Sequence, residues 1–206
     1  MANSIGARGM LVDPTVSRAR FAREIERFET TRDLHNRRGC WLIKAEFPIA
    51  IVVFAALKSN PPFVLFAARF DFTNYDLVPP SVRLVDPFTH ELLKAKQVKF
   101  QLLRRALVTR PPGEMPFGAM LPEQIQNLLQ DYGPEELPFV CLQGIREYHD
   151  HPLHSNDPWL PRRKTGEGTL HFLVEQLWTY GVEQVVGMGY TIQIVPNGFQ
   201  IGGVPS

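Results

Sequence analysis

The chain has 206 residues, a formal net charge of +1, and 44% hydrophobic against 21% charged residues. That is the composition of one globular domain with a core of its own, taken as 1–206, and near-neutral charge excludes the dense basic footprint that nucleic acid requires. A bilayer crossing needs about 20 apolar residues; the longest apolar run, Phe47 to Leu57, is broken by Pro48 and falls well short.

The opening MANSIGARGMLVDP lacks the apolar centre of a secretory signal. With Cys40 and Cys141 as the two cysteines, a reducing cytoplasmic setting is expected, with no membrane and no nucleic-acid partner. Among the small basic runs, Arg162-Arg163-Lys164 is the best placed to dock an acidic partner.

Asp13-Pro14 opens the first element, an N-cap acceptor followed by a proline whose missing N–H costs nothing there. Phe21, Ile25 and Phe28 then recur at helical spacing and predict an amphipathic helix over 15–33. Three apolar, β-branched or aromatic runs follow: Trp41 to Phe47, Ile49 to Leu57 and Phe63 to Phe72, the last after the Ser59-Asn60-Pro61-Pro62 turn. They predict an antiparallel meander. In YDLVPPSVRLVD the prolines at 79 and 80 forbid ladder bonds and confine a fourth strand to what comes after them.

Residues 94–137 read as an insertion with some structure of its own. Val98, Phe100 and Leu102 alternate as in a strand, Arg110-Pro111-Pro112-Gly113 breaks the chain, and Pro122 to Asp131 has the spacing of a short helix. An apolar run, Leu137 to Leu142, delivers Cys141 into a His-rich loop at 147–158. Leu170, Leu173, Val174 and Leu177 then predict a C-terminal helix ending at Gly181, capped by Thr165 or Thr169. Asn197-Gly198 suggests a terminal hairpin over 189–203. The class is therefore α+β: an N-terminal helix, an antiparallel meander, a Cys-bearing extended segment and a C-terminal helix.

CLQGIREYHDHPLHSNDPW, residues 141–159, concentrates the chemistry. Two readings compete. In the metal reading, Glu147, His149 and His151 point to one side of an extended segment, His154 closes the site after Pro152, and Cys141 adds a thiolate. Imidazole, carboxylate and thiolate together suit zinc. In the nucleophile reading, Cys141 reacts as a thiolate, its ordinary pKa of about 8.5 lowered by Arg146 and the histidines. Cys40, at a strand start with no such neighbours, reads as a small buried hydrophobe. Trp159 reads as a hydrophobic lid on the loop, and His171 as facing solvent or a helix neighbour.

Helix, meander, Pro-Pro segment, Cys-bearing run, tryptophan and helix: this order resembles the ubiquitin-conjugating enzyme fold over roughly residues 15–180. The likeness is carried by YDLVPPSVRLVD, by FVCLQG, and by DPWLPRR leading into GTLHFLVEQLW. The resemblance implies that Cys141 takes a ubiquitin-like protein from its activating enzyme as a thioester and passes it to an amine. Asp150, Asp157, His149 or His154 would then relieve the amine of its proton. The family's His-Pro-Asn is absent, with Phe88-Thr89-His90 in its approximate place, so Asn156 is the candidate oxyanion donor. Cys141, Glu147, His149 and His154 also resemble a predicted metal-binding domain named for Cys, Glu, His and His, associated with prokaryotic ubiquitin-like systems. That resemblance implies a zinc-binding, non-catalytic adaptor as the alternative.

Overall fold

The structure, a computed structural model, describes residues 11–107 and 123–187, with side chains at 11–105 and 125–187. Asp13 caps the first helix, α1 (Pro14–Thr30), its Oδ1 accepting from the Thr15 N–H at 2.7 Å. Ser17, Phe21, Glu24 and Phe28 form the buried stripe. The helix stops short of the expected residue 33 because Thr30 and Thr31 turn their hydroxyls back onto the carbonyls of Arg27 and Phe28. A short second helix, α2 (Arg32–Arg37), follows and carries the fully buried His35.

The meander is present as predicted. Strands β1 (Cys40–Glu46), β2 (Ile49–Ala56), β3 (Phe63–Asp71) and β4 (Ser81–Val85) lie in sequence order, every neighbouring pair antiparallel. Pro79 and Pro80 stay outside the ladder, which resumes at Ser81 opposite Asp71. Alternation divides the faces: Ala50, Val52 and Phe54 join the main core, whereas Ile51 and Val53 join Ala67 and Val85 in a small cluster on the other face.

The main core is closed by α1 and by the C-terminal helix α5 (Leu170–Gly181), which buries Leu170, Leu173, Val174 and Leu177. Thr169 caps α5, its hydroxyl accepting from the Phe172 N–H at 3.3 Å. Among the described residues the result is a mixed α+β structure: N-terminal helix, four-stranded antiparallel sheet and C-terminal helix.

Between β4 and α5 the expectations need correction. Val98 and Phe100 are half-buried and Leu102 fully buried, so their alternation is real, yet it has no ladder partner; the strand begins only at β5 (Leu103–Leu107). The helix expected over 122–131 is replaced, where described, by β6 (Glu123–Asn127), paired with β5, and by β7 (Leu129–Gln130), paired with β8 (Phe139–Val140). Ile125, Leu128 and Leu129 fit either period, and pairing with residues distant in sequence decides for strands. The His-rich segment is not extended: it forms α3 (Arg146–His149), a 3₁₀ turn at Pro152–His154 and α4 (Trp159–Arg162). Pro152 suits the first position of its turn. The chain break at 110–113 and the hairpin at 189–203 lie outside the described residues.

Candidate functional site

The loop from Cys141 to Trp159 is bolted to the β3–β4 connection that carries Pro79-Pro80. The Arg146 N–H donates to the Pro80 carbonyl at 2.9 Å, and its guanidinium reaches the carbonyls of Pro79 at 3.2 Å and Thr73 at 2.8 Å. Trp159 is buried in the main core and donates from Nε1 to the Asp76 carbonyl at 2.8 Å. Arg146 is thus an anchor of the loop. The opposing charge acting on the Cys141 thiol comes instead from Arg104.

Cys141 leaves β8 with its N–H donating to the Leu128 carbonyl at 2.6 Å, and it is only 6% exposed. Its Sγ lies 3.3 Å from His154 Nε2. Burial pushes the thiol pKa up, against a smaller opposing pull from Arg104. Burial likewise pushes the His154 imidazole down, helped by His151 and opposed by Asp157. Both shifts favour a neutral thiol beside a neutral imidazole. The His154 ring is held in place by stacking on Tyr148, centroids 3.9 Å apart.

Tyr148 in turn donates its hydroxyl to Asp157 Oδ2 at 3.0 Å, beside a second bond from Gln143 at 3.1 Å. Arg162 bonds the other oxygen of Asp157 and reaches Glu167 at 3.0 Å. Burial alone would raise the Asp157 pKa, but the bonds from Arg162, Gln143 and Tyr148 hold it below the ordinary aspartate value. Asp157 is therefore a fixed carboxylate that organises the loop. Asn156 stands exposed beside it, and Asp150 is exposed at the end of α3.

The other residues named for a metal cage turn elsewhere. Glu147 accepts from the Ser81 hydroxyl and from the Val82 N–H at 3.1 Å, and pairs with Arg83 at 3.2 Å, so its carboxylate ties α3 to β4. His149 accepts from the Gly144 N–H at Nε2, 3.2 Å, and its Nδ1 lies 2.8 Å from the Asp157 carbonyl. This pattern assigns the neutral Nδ1–H tautomer and uses both ring nitrogens. His151 accepts from the Leu153 N–H at 3.2 Å and stacks on Phe139. Of the five, Cys141 and His154 are in contact, and no three of them bring ligand atoms within 4.8 Å of one another. The helical turn in α3 removes the shared side on which an extended segment would have placed Glu147, His149 and His151.

Among the described residues a different group meets the geometry for a metal ion: His35, His171 and Glu175, whose ligand atoms all lie within 4.8 Å of one another. His171 and Glu175 sit four residues apart on α5, a spacing that puts them on one face. The signal in the sequence was this i, i+4 pair in HFLVE; His35, 136 residues away, gave none.

Comparison with known proteins identifies the lineage. The family model described as "Y4jH-like: Y4jH family" matches residues 12–185, which covers both groups. The chain belongs to the Y4jH family. It is 40% identical over 192 residues to the uncharacterized protein y4jH of Sinorhizobium fredii (strain NBRC 101917 / NGR234), covering 92% of this chain and 94% of that one. Within this family member, no described helix is long and apolar enough to cross a membrane.

Proposed function

We propose that the chain is a conjugating-enzyme-like acyl carrier, in which Cys141 accepts the C-terminus of a ubiquitin-like protein as a thioester and hands it to an amine. The observation that carries this reading is the 3.3 Å contact between Cys141 Sγ and His154 Nε2 on a loop anchored to the Pro-Pro segment. The order of helix, meander, Pro-Pro connection, cysteine and helix supports it.

In the loading step Sγ attacks the carbonyl carbon of the activating enzyme's thioester while His154 Nε2 takes the thiol proton. The activating enzyme's sulfur leaves with the electron pair of the broken C–S bond and takes the proton back from His154–H⁺, which returns to neutral imidazole. In the transfer step an amine attacks the Cys141 thioester and gives up its proton to neutral His154 Nε2, and the C–S bond breaks to expel Cys141 as a thiolate that the His154–H⁺ so formed reprotonates. Asn156, exposed next to the loop's fixed carboxylate, is the proposed oxyanion donor. Asp157, holding its own donors, positions the loop and is not the base.

The test mixes the full chain with its activating enzyme, a ubiquitin-like protein and ATP, and reads a thiol-sensitive adduct on a non-reducing gel. The adduct is expected in wild type, absent in Cys141→Ser, and formed at least tenfold more slowly in His154→Ala. An adduct that survives in Cys141→Ser would overturn the assignment. The adaptor alternative, zinc held at this loop without transfer, retains only the Cys141–His154 pair as support. It predicts no adduct, together with zinc that is lost in both variants.

A further inference from the structure

The second cluster lies away from the cysteine loop, where α2 meets α5. His35 is fully buried and its ring is stacked flat on Phe28, centroids 4.2 Å apart at 4°, so its nitrogens have fixed directions. Its Nε2 faces His171 Nδ1 at 3.1 Å. Its Nδ1 faces Glu175 Oε1 at 3.4 Å, yet that contact lacks hydrogen-bond alignment, and both atoms are buried without a hydrogen-bond partner.

Arg38 takes the other oxygen of Glu175, Oε2, at 2.5 Å, which orients the carboxylate and leaves Oε1 turned toward the histidines. Arg38 is itself held, its carbonyl accepting from Trp178 Nε1 at 2.9 Å and its guanidinium lying 4.6 Å from the Trp178 ring centre. An orphaned, buried ring nitrogen and an orphaned carboxylate oxygen aimed at each other cost stability unless something occupies the space between them. A cation bound at Oε1 and at one nitrogen of His35 relieves the orphaned carboxylate oxygen, and the guanidinium on the outer oxygen is the kind of second contact that orients metal-bound carboxylates.

We propose that His35, His171 and Glu175 form a site for one divalent transition-metal ion, zinc above all, that clamps α2 to α5 and leaves a coordination position open to solvent. Imidazole and carboxylate are borderline to hard donors suited to zinc at about 2.0–2.2 Å. Three protein ligands leave the fourth tetrahedral position for water or a small anion. His171 and Glu175 are only partly buried, so that position opens outward.

The experiment uses the full chain, stripped with a chelator and then titrated with Zn²⁺, with bound metal counted by elemental analysis and thermal stability followed in parallel. One equivalent is expected, with a rise in Tm that grows with free zinc. His171→Ala and Glu175→Gln, both at partly exposed positions, are expected to weaken binding at least tenfold and abolish the zinc-dependent rise. Cys141→Ser and His154→Ala are expected to bind as wild type does. Co²⁺ in place of zinc gives a visible d–d spectrum that reports the ligand set and disappears in His171→Ala. The proposal is overturned by unchanged zinc affinity in both α5 variants, by absence of binding in folded wild type, or by loss of binding only in the Cys141 and His154 variants. A defect in thioester formation leaves it untouched, since metal content is read separately.

Discussion

Gly144 sits between Cys141 and the His149 that holds the loop, and its backbone lies at φ +86°. A Cβ there would meet the Glu167 carbonyl oxygen at 2.2 Å and the Gly168 nitrogen at 3.1 Å, so the obstruction is backbone, with no side chain to swing aside. Gly144→Ala therefore carries two costs. The left-handed backbone disfavours an L-residue by about 1–2 kcal/mol. Relief of the clash shifts one segment against the other, worth about 1–3 kcal/mol by analogy with overpacked cores. The sum, about 2–5 kcal/mol, corresponds to a Tm lowered by roughly 5–15 °C in a chain of this size. Gly166→Ala is the internal control: its φ is +90°, but nothing lies within 4 Å of the added carbon. Only the backbone cost of about 1–2 kcal/mol applies there. Urea denaturation of the pair separates the two terms, and Cys141 alkylation in Gly144→Ala should quicken as the loop loosens. Equal stability losses in the two variants would refute the claim that the close approach of residues 144 and 167 holds this loop shut.

Three further outcomes follow from contacts described above. Glu147→Ala strands Arg83 and the Val82 N–H, partners of a carboxylate whose side chain is only 10% exposed, and should cost about 2–4 kcal/mol while leaving zinc content unchanged; metal loss without destabilisation would return Glu147 to a ligand role. At pH 8 a small alkylating agent should leave Cys40 unmodified, because burial pushes its thiol up to about 12, and should label Cys141 more slowly than free cysteine, whereas unfolded chain takes two labels; rapid modification of Cys40 in folded protein would contradict its burial. Burial raises the Glu24 pKa above the ordinary 4.5, against bonds from Leu170 and Tyr75 and the charge of Arg27, so its stabilising contribution is complete below 4.5 and is lost as pH rises through the raised folded value. Glu24→Gln should remove that loss, gaining on wild type as pH climbs through this window in urea titrations at successive pH values; parallel stability profiles would count against it.

The meander was legible because its signals are local: alternating apolar runs, a Pro-rich turn at 59–62, and prolines at 79 and 80 that can only precede the fourth strand. The two outer helices were legible from period and caps, with Asp13 and Thr169 both found in place. Residues 123–130 were not, because Ile125 and Leu128 satisfy a helical period as well as a strand, and the deciding partners are Arg105 and Leu102 across the insertion. The candidate site divides in the same way. Cys141 and His154 lie 13 residues apart on one loop and do meet. The Glu147 carboxylate bonds partners on β4 that are 65 and 66 residues away in sequence, which no local pattern announces. His35 and His171, 136 residues apart, could be joined only by the packing of α2 on α5. No periodicity links such positions, so a cluster dense in sequence outweighed one that is dense only in space.

That redistribution alters the chemistry expected of Cys141. Four surrounding ligands would have locked its sulfur as a thiolate of low nucleophilicity. One imidazole at 3.3 Å, in a loop where Gln143, Tyr148 and Arg162 all bond Asp157, sits against a thiol whose protonated form burial favours. Burial moves the two pKa values apart, the thiol up and the imidazole down, and each unit of that gap disfavours the thiolate–imidazolium pair by about 1.4 kcal/mol. A resting ion pair, the device by which cysteine hydrolases attack unactivated amides, is thereby opposed. A thioester donor makes no such demand: exchange of one thioester for another is nearly isoenergetic, and the proton can move to His154 as the new bond forms. On the proposed reading, the burial that makes Cys141 a poor hydrolase nucleophile suits it to receive an acyl group already activated elsewhere.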